Sequence, residues 1–147
     1  MSDSTTIHLL LGLGLIWLTT ACGQPEVYSK YDGERNDQGV AQMGRYEYET
    51  ARATFASVVD SAPSWLEVRV NLAIATLNRQ REGDETLALT TLEAVLEEDP
   101  RHQRALYTSG LIHLYLGETE QAIPLFQRVA SADPKDPYAA YFLGQSL

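Results

Sequence analysis

The sequence predicts an all-α protein, an α-solenoid of antiparallel helix hairpins. Three observations favour this fold class. Matching residues recur at an offset of 34 along the second half of the chain, a glycine interrupts each repeat, and an Asp-Pro pair closes it. Internal repetition at about 20–50 residues is typical of repeat proteins, in which each hairpin buries its apolar face against its neighbours.

Each repeat contains a first helix, helix A, and a second helix, helix B. Helix A needs a small residue where helix B crosses it closely, and the sequence supplies Ala73, Gly110 and Gly144 at that place. Helix B needs a small residue four positions before a large one. The pairs that fulfil this need are Ala51/Phe55, Ala88/Leu92 and Ala122/Phe126.

The ends of the helices are marked by residues with restricted or unusual backbone preferences. Gly83 and Gly117 are expected to end helix A, because glycine adopts a left-handed conformation without a steric penalty. Asp-Pro at 99–100 and at 133–134 is expected to end helix B, because a residue before proline is biased away from the α region.

These signals predict about two full repeats with partial repeats at both ends. The unit at 66–100 has three extra residues around 78–82, which we expect to lengthen its helix A by nearly one turn. Upstream, only a helix B at about 46–60 is predicted, and its helix A is expected to be absent. The final segment, 137–147, is predicted to be the helix A of an incomplete repeat, which favours a fragment of a longer protein.

The 34-residue period and these residues resemble the tetratricopeptide repeat (TPR) family from about residue 45 onward. The stretch HQRALYTSGLIHLYLGETEQAIPLFQRVASADPKD at 102–136 carries most of the likeness, and it departs at Ser109, where the family has leucine. The resemblance implies a right-handed superhelix whose inner surface binds a protein or peptide. Of the residues with which some members clamp a C-terminal carboxylate, only Asn71 and Arg104 have counterparts, so no such clamp is expected.

In this family, a stripe of helix A residues separate from the core lines the inner surface. By register, the resemblance implies a partner-binding groove that suits an extended peptide or a helix, since tyrosine and arginine dominate interface energetics. The predicted groove residues are Val70, Ile74, Leu77, Arg104, Tyr107, Leu111, Leu114, Tyr115, Tyr138 and Tyr141. Alternatively, further repeats or another domain of the same chain cover this surface.

The N-terminal residues predict an export signal. Leu9–Leu18 is an uncharged apolar run, shorter than the roughly 20 residues that span a bilayer. The following LTTACG resembles the lipobox of bacterial lipoproteins, in which the cysteine becomes the lipidated first residue. The resemblance implies a signal peptide at 1–21 and a lipid-anchored Cys22. Gly23 then implies the outer membrane of a Gram-negative cell, with the protein facing the periplasm or the cell surface.

Residues 22–43 are predicted to be a flexible linker and residues 44–147 the solenoid. The linker sequence is rich in glycine, acidic and amide residues, and its sparse apolar residues show no period. Such a segment buries too little surface to offset the entropy of ordering it.

Composition and motifs exclude several functions. A net charge of −9 without clustered Lys or Arg argues against binding nucleic acid. No nucleophile, base or metal-ligand spacing is present, and His113 is expected to be a packed, hydrogen-bonded side chain. The sequence therefore predicts no enzyme, no cofactor, no metal and no small-molecule substrate.

The predicted function is an exported, lipid-anchored scaffold that binds a protein or peptide partner. The alternative is an N-terminal docking module of a larger exported protein whose activity lies beyond residue 147. Asn71–Asn78 together with 141–147 resembles the repeat regions that precede FG-GAP and ASPIC/UnbV domains in secreted bacterial proteins.

Overall fold

The computed structural model describes residues 28–132, 134, 135 and 137–146. These residues form seven helices: α1 (Lys30–Gly44), α2 (Tyr48–Ser61), α3 (Leu66–Asn78), α4 (Asp84–Glu98), α5 (Gln103–Tyr115), α6 (Thr119–Ala132) and α7 (Pro137–Ser146). The predicted signal peptide and Cys22 lie outside the described residues.

Consecutive helices pack in pairs, and short loops join them. α1 pairs with α2, α3 with α4, and α5 with α6, while α2/α3 and α4/α5 contacts join the hairpins and α7 packs on α6. One buried apolar cluster joins α2 to α3, and a second joins α3, α4 and α5. The predicted all-α helical repeat is confirmed, with three hairpins and a seventh helix.

The structure corrects the linker prediction over residues 30–43, because these residues form α1 and pack against α2. Ser29 caps the helix by accepting a hydrogen bond from the backbone N–H of Asp32 at 3.1 Å. The carboxylate of Asp32 accepts hydrogen bonds from the hydroxyls of Ser29 (2.5 Å) and Ser61 (2.7 Å), and these bonds lower its pKa. Ser61 ends α2, so this contact also ties the two helices of the first hairpin together.

The helix A that we expected to be absent is therefore present. Its buried residues are Asp32, Gly39 and Gln42, and the apolar Met43, which packs against the α2/α3 cluster, is only partly buried, so little apolar pattern marks this face. Two weaker features of the sequence could have indicated α1. Ser29 and Asp32 have the spacing of a capping box, and Gly39 precedes Ala73 by 34 residues, the repeat period.

The expected lengthening of helix A in the second repeat is wrong. α3 and α5 both have 13 residues, and the extra residues form the loop 79–83. Gln80 turns this loop with a φ of 56°. The nearly buried Asp84 accepts hydrogen bonds from the guanidinium of Arg79 at 2.5 Å and from the backbone N–H of Arg81 at 3.0 Å. These bonds hold the loop against the start of α4 and stop α3 at Asn78.

The left-handed conformation predicted for both glycines is confirmed, but only Gly117 follows the end of its helix A directly after the cap residue. Gly83 does not end α3, which ends at Asn78; it is the N-cap of α4. Gly83 and Gly117 have φ values of 84° and 77° between the helices of the second and third hairpins. Tyr46, which precedes Gly83 by 37 residues, has the corresponding conformation in the first hairpin, with a φ of 62°. Each hairpin therefore has a left-handed residue in the turn before its second helix, and the longer turn of the second hairpin contains a further one, Gln80.

The predicted close crossing of the two helices is also confirmed. A Cβ atom at Gly39 would lie 2.5 Å from the ring of Phe55, and one at Gly110 would lie 2.7 Å from the ring of Phe126. In the second hairpin, Ala73 is buried in the same cluster as Leu92. A glycine is thus matched with a phenylalanine, and an alanine with the shorter leucine.

We expect Gly110→Ala to lower the free energy of unfolding by about 1–3 kcal/mol, because the new methyl group overlaps the Phe126 ring. Adding Phe126→Leu should restore part of this loss, since it recreates the Ala73/Leu92 pairing. Chemical denaturation of both single variants and the double variant measures the coupling. Gly144→Ala is the control, because a Cβ at Gly144 would contact no atom of the described residues within 4 Å. Equal losses of stability at both glycines would contradict the close crossing at Gly110.

Because of the Asp84 carboxylate, we expect the free energy of unfolding to decrease in acid. Burial raises the pKa of Asp84, but the hydrogen bonds from Arg79 and Arg81 outweigh it and hold the pKa below its ordinary value of 3.8. The folded state therefore binds this proton less readily than the unfolded state does. The resulting stabilisation is complete above the ordinary value and is lost as the pH falls through the folded-state pKa.

We expect Asp84→Asn to be less stable than the parent at pH 7, with a smaller decline in stability between about pH 5 and pH 2. Urea denaturation across this pH range gives the comparison. Asp60→Asn removes the same formal charge from an exposed position on α2 and is the control. If the two variants showed the same pH dependence, the role of the Asp84 carboxylate would be refuted.

Candidate functional site

A cavity of about 940 Å³ lies between α3 and α5, the first helices of the second and third hairpins. We call it the α3/α5 groove. It is lined by Ile74, Leu77, Asn78, Gln80, Glu85, Gln103, Arg104, Tyr107, Thr108, Leu111, Ile112, Tyr115 and Val129. α4 and α6 contribute one residue each, so the groove belongs mainly to the two helix A surfaces.

Six of the predicted groove residues line this cavity: Ile74, Leu77, Arg104, Tyr107, Leu111 and Tyr115. Ile74 and Leu77 also pack against the core cluster, so the aliphatic wall continues the protein interior. Tyr115 is 77% exposed at the end of α5. Six of the ten residues carried over by register therefore share one surface between α3 and α5, and their role in binding a partner stays a prediction.

The prediction that Val70 lines the groove is wrong. Its side chain is fully buried in the core cluster. Val70 and Tyr107 occupy equivalent positions, 37 residues apart. The short valine side chain ends inside the core, whereas the longer tyrosine reaches from the core to the groove.

The other predicted residues lie elsewhere. Leu114 is half-buried and does not line the groove. Tyr141 is on α7, outside the groove, and is 58% exposed. Tyr138 is also on α7, and its side chain, like Cys22, lies outside the described residues. Tyr141 therefore does not extend the α3/α5 groove, and the expectation for Tyr138 stays a prediction.

Tyr107 belongs to the core as much as to the groove. Its ring lies 5.9 Å from the ring of Phe126 and 5.8 Å from that of Phe142, centroid to centroid, in edge-to-face geometry. The rings of Phe126 and Phe142 stack at 5.3 Å. This aromatic cluster joins α5, α6 and α7, so a change at Tyr107 would affect packing as well as the groove.

A polar network fixes the position of Arg104 at the edge of the groove. Its guanidinium donates to Oδ1 of Asn71 at 2.8 Å and to the carboxylate of Glu67. Asn71 in turn donates to Asn36 of α1 at 3.1 Å, and Glu67 lies 3.3 Å from Nε2 of His102. Arg104 already has a carboxylate partner within the chain, so its charge is largely balanced.

His113 is packed and hydrogen-bonded, as expected. Its side chain is 18% exposed, and its Nδ1 lies 2.7 Å from a carboxylate oxygen of Glu118.

The polar residues of the groove were not among those predicted from the sequence. Thr108 lies four residues after Arg104, and Gln103 lies four residues before Tyr107, so helical spacing from these predicted residues could have indicated both. Gln80 and Glu85 reach the groove through the loop 79–83 and the start of α4. Their positions depend on the path of a loop that was predicted to be helical.

No group of three or more His, Cys, Asp or Glu side chains among the described residues is arranged to hold a metal ion. None of the helices in this part of the chain combines the length and apolarity needed to cross a bilayer.

Comparison with known proteins supports the TPR resemblance. The family model for the tetratricopeptide repeat matches residues 79–146, slightly under half of the chain. A mouse (Mus musculus) FK506-binding protein-like protein is 38% identical over 63 residues, which are 43% of this chain. The matched region spans only 18% of the length of the mouse protein.

Two solved structures show the same fold. The first TPR of Spaghetti (RPAP3), bound to the HSP90 peptide SRMEEVD, has a TM-score of 0.74 at 18% identity, covering 82% of this chain and 95% of that one. MamA from Desulfovibrio magneticus RS-1 has a TM-score of 0.72 at 24% identity, covering 81% of this chain and 66% of that one. At these identities, the likeness establishes the fold alone.

Proposed function

We propose that this protein is a non-catalytic scaffold that binds a segment of a protein partner in the α3/α5 groove. The observation that carries the proposal is the groove itself, a large cavity between two packed helices. Its aliphatic wall is backed by the core, so the surface exists before the partner arrives. A preformed surface lowers the entropic cost of binding.

The chemistry of the groove favours an apolar partner segment. Ile74, Leu77 and Leu111 offer aliphatic surface, and the exposed Tyr115 offers an aromatic ring at the edge. Burying such side chains supplies the main part of the binding energy at protein interfaces. Polar residues around this surface, such as Gln103 and Thr108, can hydrogen-bond the backbone of the bound segment.

The structural relatives support binding of a peptide as the class of function. The similar TPR of Spaghetti (RPAP3) holds a peptide with an acidic end. In the present chain, Glu67 and Asn71 already occupy the guanidinium of Arg104. We therefore propose that apolar side chains, rather than a terminal carboxylate, dominate recognition here.

Export and lipid anchoring through Cys22 form a further part of this proposal, supported by the apolar run Leu9–Leu18 and the lipobox-like residues that follow. Only residues 23–29 separate Cys22 from α1, because the expected linker is largely helical. Seven residues span at most about 25 Å when extended. Lipidation would therefore hold the solenoid close to the membrane surface.

The groove can be tested by photo-crosslinking in the protein's own host cell. A photoreactive phenylalanine analogue at position 115 should give a discrete adduct with the partner. The matched control is position 46, because Tyr46 is 79% exposed and does not line the α3/α5 groove. Adducts of equal yield from both positions would count against the groove.

Leu111→Ser should abolish the adduct at position 115, because it places a hydroxyl on the aliphatic wall of the groove. Circular dichroism should show nearly unchanged helicity. Leu111 is preferred to Tyr107 for this test, since Tyr107 packs against Phe126 and Phe142. If the adduct persisted in the folded variant, apolar recognition at this wall would be wrong.

The anchoring proposal is tested by intact mass and membrane fractionation after expression of the full chain in a Gram-negative host. The expected mass corresponds to cleavage before Cys22 plus acyl chains, and the protein should be in the membrane fraction. Cys22→Ser is the control and should be neither acylated nor recovered with membranes. An unmodified product in the soluble fraction would refute lipidation and leave the groove proposal standing.

A further inference from the structure

The charged groups that line the α3/α5 groove do not balance. Two of the lining residues are charged, Glu85 and Arg104. The guanidinium of Arg104 is bound by the carboxylate of Glu67, whereas the carboxylate of the half-buried Glu85 has no hydrogen bond or ion pair with any of the described residues. The groove therefore carries one uncompensated negative charge.

The cations closest to Glu85 along the chain are held by other acids. Arg79 pairs with Asp84 and with Glu49, and Arg81 pairs with Glu49 at 2.8 Å. Neither arginine lines the α3/α5 groove. Both are thus engaged elsewhere and do not neutralise Glu85.

Glu85 lies at the end of the groove where two helices end. Arg104, in the first turn of α5, binds Glu67 in the first turn of α3, so the two helices start together. Both helices line one groove and both have 13 residues, so they also end together, with Tyr115 as the last residue of α5. The loop after α3 leads directly to Glu85 in the first turn of α4.

Three features of this end favour a cation. The first is the Glu85 carboxylate, and the second is the partial negative charge at the C-terminal ends of α3 and α5. The third is the ring of Tyr115, which is 77% exposed, because the face of an aromatic ring attracts lysine and arginine. An acid in the first turn of a helix also stabilises that helix, but this role does not account for the other two features.

We infer that the partner segment carries a lysine or arginine that pairs with Glu85, beside the apolar side chains that contact Leu77 and Leu111. This inference rests on the proposed function, because it specifies the occupant of the same groove. The peptide held by the similar TPR of Spaghetti (RPAP3) has an acidic end. The preference inferred for the present chain is opposite in sign.

The residues of this sequence that lie outside the described structure cannot supply the cation. Residues 1–27 contain no lysine or arginine, and neither do positions 133, 136 and 147. The 11 Lys and Arg residues of the chain all lie between Lys30 and Lys135, within the solenoid. The basic residue therefore belongs to the partner segment.

The probe is a library of short random peptides displayed on phage and selected on the purified full chain. Peptides recovered on the parent chain should share apolar residues and a lysine or arginine at a fixed position beside them. On Glu85→Lys, the same position should hold aspartate or glutamate, because the charge that faces it is reversed. A weakened start of α4 would only lower the recovery and would not reverse the preference.

The matched control is Glu93→Lys, which makes the same charge change at an exposed position on the same helix. Glu93 does not line the groove, so this variant should select the same peptides as the parent. Circular dichroism should show that both variants keep their helicity.

A synthetic copy of one selected peptide gives the second measurement. Replacing its basic residue with glutamine should weaken binding to the parent chain about tenfold, since a charge-assisted contact in a partly desolvated groove is lost. The same replacement should have little effect on binding to Glu85→Gln, which has no carboxylate at this position. Leu111→Ser should abolish the binding of both peptides.

Apolar peptides that depend on Leu111 but share no basic position would overturn this inference and leave the proposed function standing. A basic preference that Glu85→Lys does not reverse would also overturn the inference, because the cation would then bind elsewhere. If no recovered peptide depended on Leu111, the proposed function would fail and this inference with it.

Discussion

The close crossing of two helices at a small residue sets the geometry of every hairpin in this chain. Gly39 and Gly110 have no room for a side chain, because an aromatic ring of the partner helix occupies that space. A larger residue would push the helices apart, and close-packed interiors do not absorb such a change without strain. In the first and third hairpins, the distance between the two helices therefore depends on the absence of one methyl group.

The α3/α5 groove follows from this spacing. Because each second helix lies tightly on its first, successive first helices are neighbours and present a shared surface. Tyr107 illustrates the coupling, since its ring packs on Phe126 and also lines the groove. The network from Asn36 through Asn71 to Arg104 crosses the three first helices and fixes their relative positions. Packing and recognition thus use the same side chains.

The proposed binding surface is a product of the repeated packing. The groove lies along the first helices of the second and third hairpins, where aliphatic and aromatic side chains remain after the core is filled.

The sequence by itself determined the repeated hairpin, because glycine, Asp-Pro and small-large pairs recur at a fixed spacing and act locally on the backbone. It did not reveal α1, whose buried face of Asp32, Gly39 and Gln42 becomes favourable only against α2. Nor did the sequence show that Val70 is buried whereas Tyr107, at the equivalent position, lines the groove, since this difference depends on the length of the two side chains. Tertiary structure decided these points, because burial and the path of the loop 79–83 depend on contacts between residues distant in sequence.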